Sequence, residues 1–338
     1  MKLKQYLFTQ LAHSFFPIFL GLYFITSIIF LVKIAALTSV ITMNVFELFQ
    51  LYMYVTPTII FYTAPISFFV SLVITLAKLS SEYELIVISS FGLNPIKILK
   101  IFFPITLLLS ISLIVISIGL IPKAKYLNER FMEQKKKEAN FNIKASEFGQ
   151  KFGDWLIYID SKEDKKYNGI KLFKTENNKD QFIIAKNALL NNDKGELSFK
   201  LYDGKSFNIE DEEFNQIDYK SMDINESIRN SKKEPFVNSY LYWKTKIEAN
   251  INIDKFTFYI LTSLFPLFSL FLVISFGYFN PRYEKNRAVA LSMSSVVVFY
   301  IFMESMTENL LLHSLYIVPV CWIIATYYFY TKSIKPQY

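Results

Sequence analysis

A single cysteine, Cys321, leaves no room for a disulfide framework, a CxxC redox motif or a cysteine-based zinc site. The two histidines, His13 and His313, are far apart in sequence, and no Ser/His/Asp or Cys/His arrangement surrounds either. No GxxxxGK[ST] loop occurs, so the chain does not bind ATP through a P-loop of its own. Glycine is scarce, with nine in 338 residues, while Phe and Tyr reach 34 and 22. A soluble protein of this length rarely has that balance. Acidic residues are nearly missing from both ends of the chain, where the apolar residues gather. This is the composition of an integral membrane protein with one soluble insert.

The formal charge of +7 is placed unevenly. Residues 123–255 hold 25 Lys/Arg against 23 Asp/Glu, so the excess lies in the short loops between apolar runs. Nucleic-acid binding therefore explains the basic balance poorly. The first apolar run is too long for a cleavable signal peptide and lacks a small-residue cleavage site. It is expected to stay as an anchor.

A helix needs about 20 residues to cross ~30 Å of hydrocarbon. Six runs qualify: Phe15 to Leu37, Leu51 to Ala77, Ile101 to Ile121, Phe256 to Phe279, Ala288 to Leu312 and the shorter Leu315 to Tyr330. Pro57 and Pro65 interrupt the second, and Pro122 is expected to stop the third. In the insert the period becomes two. Trp155–Asp160, Gly169–Lys174, Gln181–Lys186, Glu196–Tyr202 and Phe214–Tyr219 read as strands, with turn chemistry at Asn192–Gly195 and Asp203–Gly204. Short strands with no helix between them predict an antiparallel β-sandwich or jelly roll. The acidic run Glu210–Glu213 lacks the spacing and glycine of a calcium loop and reads as a solvated turn.

With the N-terminus inside, Lys2, Lys4, Lys78, Lys97, Lys100, Arg282, Lys285, Arg287, Lys332 and Lys335 are cytoplasmic. The outer loops 38–50 and 312–315 then hold no Lys or Arg. The expected fold is an α-helical integral membrane protein with six transmembrane helices, three on each side of an external β domain. The divisions are 1–122, 123–255 and 256–338.

The stretch 80–92, between the second and third spans, is short and partly charged. Ser81 and Glu84 have the spacing of a capping box, Gly92 suits a helix end, and Asn94-Pro95 opens the next helix. Leu85, Ile88 and Phe91 fall near one face, which lipid need not cover. Something docks there, or the segment is an ordinary connector in the headgroup layer. Lys33, near a span end, either snorkels to the headgroups or meets an anion at a cavity rim. Glu304 and Glu308 share a helix face. They pair with Lys33 or other cations, line a cavity, or mark an early helix end.

These features together resemble the LptF/LptG permease family of the lipopolysaccharide export ABC transporter. The resemblance spans the chain. It rests on the 3 + 3 topology with a β insert, on Ile74-Thr-Leu-Ala-Lys-Leu79 running into Ser81, Glu84, Leu85, Val87 and Gly92, and on Asn280-Pro281-Arg282. Asn-Pro-Arg is similar to LptF, whereas Phe299-Tyr-Ile-Phe-Met-Glu304-Ser305 is similar to LptG. The resemblance implies a subunit without enzyme activity or a bound cofactor. ATP and Mg belong to a dimeric LptB-type ATPase in the cytoplasm. A second permease completes a heterodimer in the bacterial inner membrane, and LptC/LptA-type jelly-roll proteins receive the cargo.

By the same resemblance, Glu84 holds the acidic position of a coupling helix at 80–92. Lys33 matches a basic position at the outer end of the first span, and Lys123 and Lys125 are further headgroup candidates. Trp155, Ile157, Phe173, Phe182, Ile184 and Phe199 are candidates for an acyl-chain route, and equally for an ordinary β core. A membrane-anchored mechanotransmission or sensor protein is the competing reading. Such proteins typically have four spans with the insert after the first. A secondary transporter is disfavoured by few intramembrane charges, no inverted repeat and no broken helix pair.

Overall fold

The structure is a computed structural model and describes residues 2–38, 43–90, 92, 94–141, 145–146, 149–152, 155–163, 166–176, 179–193, 196–210, 213–225, 236–282 and 285–334. It divides into two compact units. A helical unit contains the chain up to Phe131 and from Phe236, and a sheet unit is built on Met132–Pro235.

In the helical unit, α1 (Lys2–Thr38) is followed by α2 (Val45–Ser81), α3 (Glu84–Ser90) and α4 (Pro95–Ile114). A π-helical turn, Val115–Leu120, joins α4 to α5 (Ile121–Phe141). After the sheet come α6 (Ser239–Glu248), α7 (Ile253–Phe268), α8 (Leu270–Gly277), α9 (Ala288–Leu310) and, beyond a short 3-10 turn, α10 (Ser314–Ser333). Helix α2 is the buried centre. It runs unbroken through Pro57 and Pro65, and its row Thr63, Ser67, Ser71 and Thr75 lets neighbours approach closely. Each of these hydroxyls donates back to a carbonyl one turn earlier. Helix α2 starts six residues before the expected span, because Asn44 and Glu47 form a capping box there.

Among the described residues, four helical stretches are long and apolar enough to cross a membrane, or five when α7 and α8 count as one span bent by 43°. The bend lies at Ser269, after Pro266. Groups freed there bond to α10: Trp322 Nε1 donates to Ser269 Oγ at 3.0 Å, and Thr326 Oγ1 to the Phe268 carbonyl at 3.5 Å. A broken span was not expected; it is a single one among the described residues, not the pair in corresponding halves that marks a secondary transporter. One of the four stretches, Ala288–Ser333, includes both α9 and α10. Phe299 and Trp322 stand on either side of the turn at Leu311, yet their ring centroids are 4.9 Å apart. Along one straight helix, 23 residues would separate them by about 34 Å. The chain therefore doubles back at Leu311, whose φ is 46°.

Pro122 does not end the third span. In an α-helix the Ile118 carbonyl would look to the amide of residue 122, which proline lacks. The π turn absorbs the misfit and the helix continues as α5.

The sheet unit is one six-stranded antiparallel meander in chain order. Its strands are β1 (Gln150–Phe152), β2 (Trp155–Glu163), β3 (Lys166–Glu176), β4 (Lys179–Asp193), β5 (Glu196–Glu210) and β6 (Glu213–Asn225). This corrects the expectation of a two-sheet sandwich or jelly roll. The row Asp160, Gly169, Lys186, Asp203 and Lys220 crosses β2 to β6. On either side of it the buried positions change parity while the pairing register does not. In β3, Tyr167 is buried on one side and Ile170 and Leu172 on the other; in β4, Ala188 and then Ile183 and Ala185. Strands β3, β4 and β5 are thus bent at one level, and both halves turn their buried side to a single core. The creased meander encloses a core as two sheets do, with no crossover. Asp203-Gly204, expected as a turn, lies on this crease inside β5, with φ 48° at Asp203.

Candidate functional site

The end of α2 and the helix α3 after it are anchored at three points. Ser80 Oγ donates to the Gly277 carbonyl at 2.8 Å and accepts from the Phe279 amide at 3.3 Å. Ser89 Oγ is hydrogen-bonded to Tyr278 Oη. Tyr6 Oη donates to Glu84 Oε2 at 2.6 Å, a short bond of the charge-assisted kind. A Cβ on Gly277 would lie 2.6 Å from Leu76 Cβ, so α8 meets α2 backbone to backbone. These contacts bring the two sequence motifs, 80–92 and 280–282, to the same end of the helical unit.

Ser81 does not cap α3. It is the last residue of α2, and its hydroxyl bonds the Ala77 carbonyl. Tyr83, with φ 63°, makes the turn into α3 instead. At the far end, Gly92 has φ 77°, its amide donates to the Ser89 carbonyl at 2.9 Å, and its own carbonyl accepts from Lys97 Nζ at 3.1 Å. The Asn94 side chain caps α4 by accepting from the Ile96 amide.

The face assigned to docking from the sequence is turned inward. Leu85 is 1% exposed and belongs to the main helical core, and Ile88 packs against that core. Phe91 lies outside the described residues. The outward face is Tyr83, Ile86 and Val87, at 53%, 38% and 53% exposure, beside Ser90. Sequence periodicity marks which residues share a face. It does not say which face the rest of the chain takes.

Lys33 is exposed, with Nζ 5.3 Å from the Phe30 ring centroid. Lys123 and Lys125 are exposed on α5, just past the π turn. Glu304 and Glu308 are exposed on α9, each one residue past the buried Met303 and Thr307, and neither forms an ion pair with Lys33. The candidates in the sheet unit divide between two faces. Ile157 and Phe199 are in its core, with Trp155 packed against it. Phe173 is 37% exposed, and Phe182 and Ile184 lie half-buried on the opposite face. There Phe182, Phe207 and Phe214 form a run of stacked rings with centroids 6.3 and 5.8 Å apart. The six residues do not line one route.

Residues 5–331 match the family model described as lipopolysaccharide export system permease LptF/LptG. The chain belongs to the LptF/LptG family. No curated protein matches it. It is thus a lipopolysaccharide export permease at the level of the family, a multi-pass membrane subunit of a transport system.

Proposed function

We propose that this LptF/LptG permease is one of two such subunits in the inner membrane, and that it lifts lipopolysaccharide out of the bilayer. The work comes from a cytoplasmic ATPase dimer that binds the ATP and Mg. Six spans follow if the bent α7–α8 pair crosses once and the α9–α10 hairpin crosses twice. The positive-inside bias then puts both termini and α3 in the cytoplasm and the sheet unit in the periplasm. There it hands the cargo to LptC/LptA-type receivers.

One observation carries this reading beyond the family match. A short helix with an exposed apolar face is held rigidly by α1, α2 and the segment after α8. Moving α3 must therefore move these helices. A carboxylate beside exposed apolar side chains suits an ATPase groove with a basic rim. Extracting an acyl chain costs about 0.8 kcal/mol per CH₂, which calls for an external source of work. The exposed Lys33, Lys123 and Lys125 are the cations that would meet the phosphates of such a lipid in this reading. The test is purification of the intact complex in mild detergent. A P-loop ATPase, a second permease and bound lipopolysaccharide, identified by mass spectrometry, are expected. Purification of this chain alone and lipid-free would overturn the proposal.

A further inference from the structure

The π turn Val115–Leu120 interrupts what is otherwise one helical stretch, Pro95–Lys135. Two of its carbonyls accept hydrogen bonds from outside the helix. Trp243 Nε1 donates to the Ile118 carbonyl at 3.1 Å, and Ser239 Oγ to the Gly119 carbonyl at 2.6 Å. Both donors sit on α6, one turn apart. Inside the span, Ser117 Oγ meets Ser263 Oγ of α7 at 3.2 Å.

A small hydrophobic core surrounds this point, separate from the main one. It consists of Phe61, Ile121, Trp243 and Tyr259, with Ile116 and Ile118 packed against it. Farther along α5, Tyr126 stacks on Phe236 with centroids 5.5 Å apart. The chain leaves for the sheet unit along α5 and returns through Phe236 into α6. The outgoing and returning segments are thus fastened together at the π turn.

We infer that the π turn is a hinge in the third span and that α6 is the catch that locks it, through Ser239 and Trp243. Three facts support this. Pro122 denies Ile118 the ordinary α-helical partner, and the Trp243 indole donates to that carbonyl instead. Two side-chain donors on one helix reach successive carbonyls of the π turn, so the catch is held at two points when closed. The side-chain donors lie on a separate short helix, which can leave without breaking any bond within the span. When α6 lifts, the span bends or turns at Val115–Leu120, and α5 swings with it. A slip of one residue at this point turns α5 by about 100°. Isolated π turns are often found where helices do mechanical or chemical work. The hinge is read from this chain's own bonds, and only its use in an ATP-driven cycle rests on the proposed function.

The test measures spin-label distances in the full chain within its membrane complex. Cys321 is replaced by serine, and labels are placed at Leu108 on α4 and Asn128 on α5. These positions are 20 residues apart, or about 30 Å along a helix. Wild type should give one narrow distance distribution. The Ser239→Ala/Trp243→Phe pair should broaden it, and adding Pro122→Ala, which restores the missing amide, should narrow it again at a new distance. If the pair matches wild type, the catch is rejected. If the triple variant stays as broad as the pair, the proline account of the hinge is rejected. Thermal unfolding of each variant identifies any that is misfolded, and the comparison between pair and triple remains decisive where the pair is weakened. Trapping the partner ATPase with ATP and vanadate should broaden or move the wild-type distribution. No change in any nucleotide state would overturn use of the hinge in the cycle, while the permease reading would fail only by its own co-purification test.

Discussion

Leu85 and Val87 are two residues apart on α3 and have opposite roles. Leu85 is a core residue whose burial contributes roughly 1.5–3 kcal/mol. Leu85→Asp should prevent the helical unit from folding, seen as loss of monodisperse protein. Val87→Asp should leave folding and yield intact and abolish ATPase capture; normal capture by this variant would reject the outward face as the docking surface. Tyr219 allows a pH prediction in the sheet unit. It covers Gly204 and donates to the Ile184 carbonyl at 3.0 Å, and burial pushes its pKa up to about 12. The unfolded chain ionises near the ordinary value of 10.0, so the folded state keeps the proton longer. Its contribution to stability is complete below about pH 10 and is lost as the pH rises toward about 12. Alkaline unfolding of Tyr219→Phe should lack that decline; a superimposable profile would disprove the assignment. At this scale the sequence was readable wherever the signal is local. Gly92 and Asn94-Pro95 act through their own backbone. Ser81 was misread because α2 continues past the expected end of its span, and no residue near Ser81 announces that.

At the scale of elements, two glycines mark close approaches that no periodicity reveals. A Cβ on Gly204 would stand 2.2 Å from the Ile184 carbonyl oxygen, which is fixed in the ladder. Gly204→Ala should therefore distort the crease and make the sheet unit sensitive to limited proteolysis, whereas wild-type resistance would show that the crease is not tight. Gly277→Ala should cost about 1–3 kcal/mol, because Leu76 Cβ and the Val73 carbonyl already fill the space. A thermal midpoint equal to wild type would contradict the close packing of α8 on α2. The strands were legible from their alternation but too short, since the crease reverses the alternation halfway along. Pro122 was legible as a disturbance, but its outcome depends on α6, which begins 117 residues farther along the chain. The capping box at Asn44–Glu47 was readable and was hidden by treating 38–50 as a loop.

At the scale of the whole molecule, composition and loop charge yielded the membrane class and the soluble insert, and the family resemblance came from the topology with the motifs at 74–92 and 280–282. They said nothing about the doubling back at Leu311 in side-chain terms, which Phe299 and Trp322 supply. The central claim is that a cytoplasmic ATPase moves the helical unit through the exposed face of α3. A photoreactive side chain at Val87, in the complex in its native membrane, tests it most directly. Irradiation should join this chain to a P-loop ATPase from position 87 and not from position 85. Capture from both positions, or none from position 87 while the ATPase still co-purifies, would contradict the account.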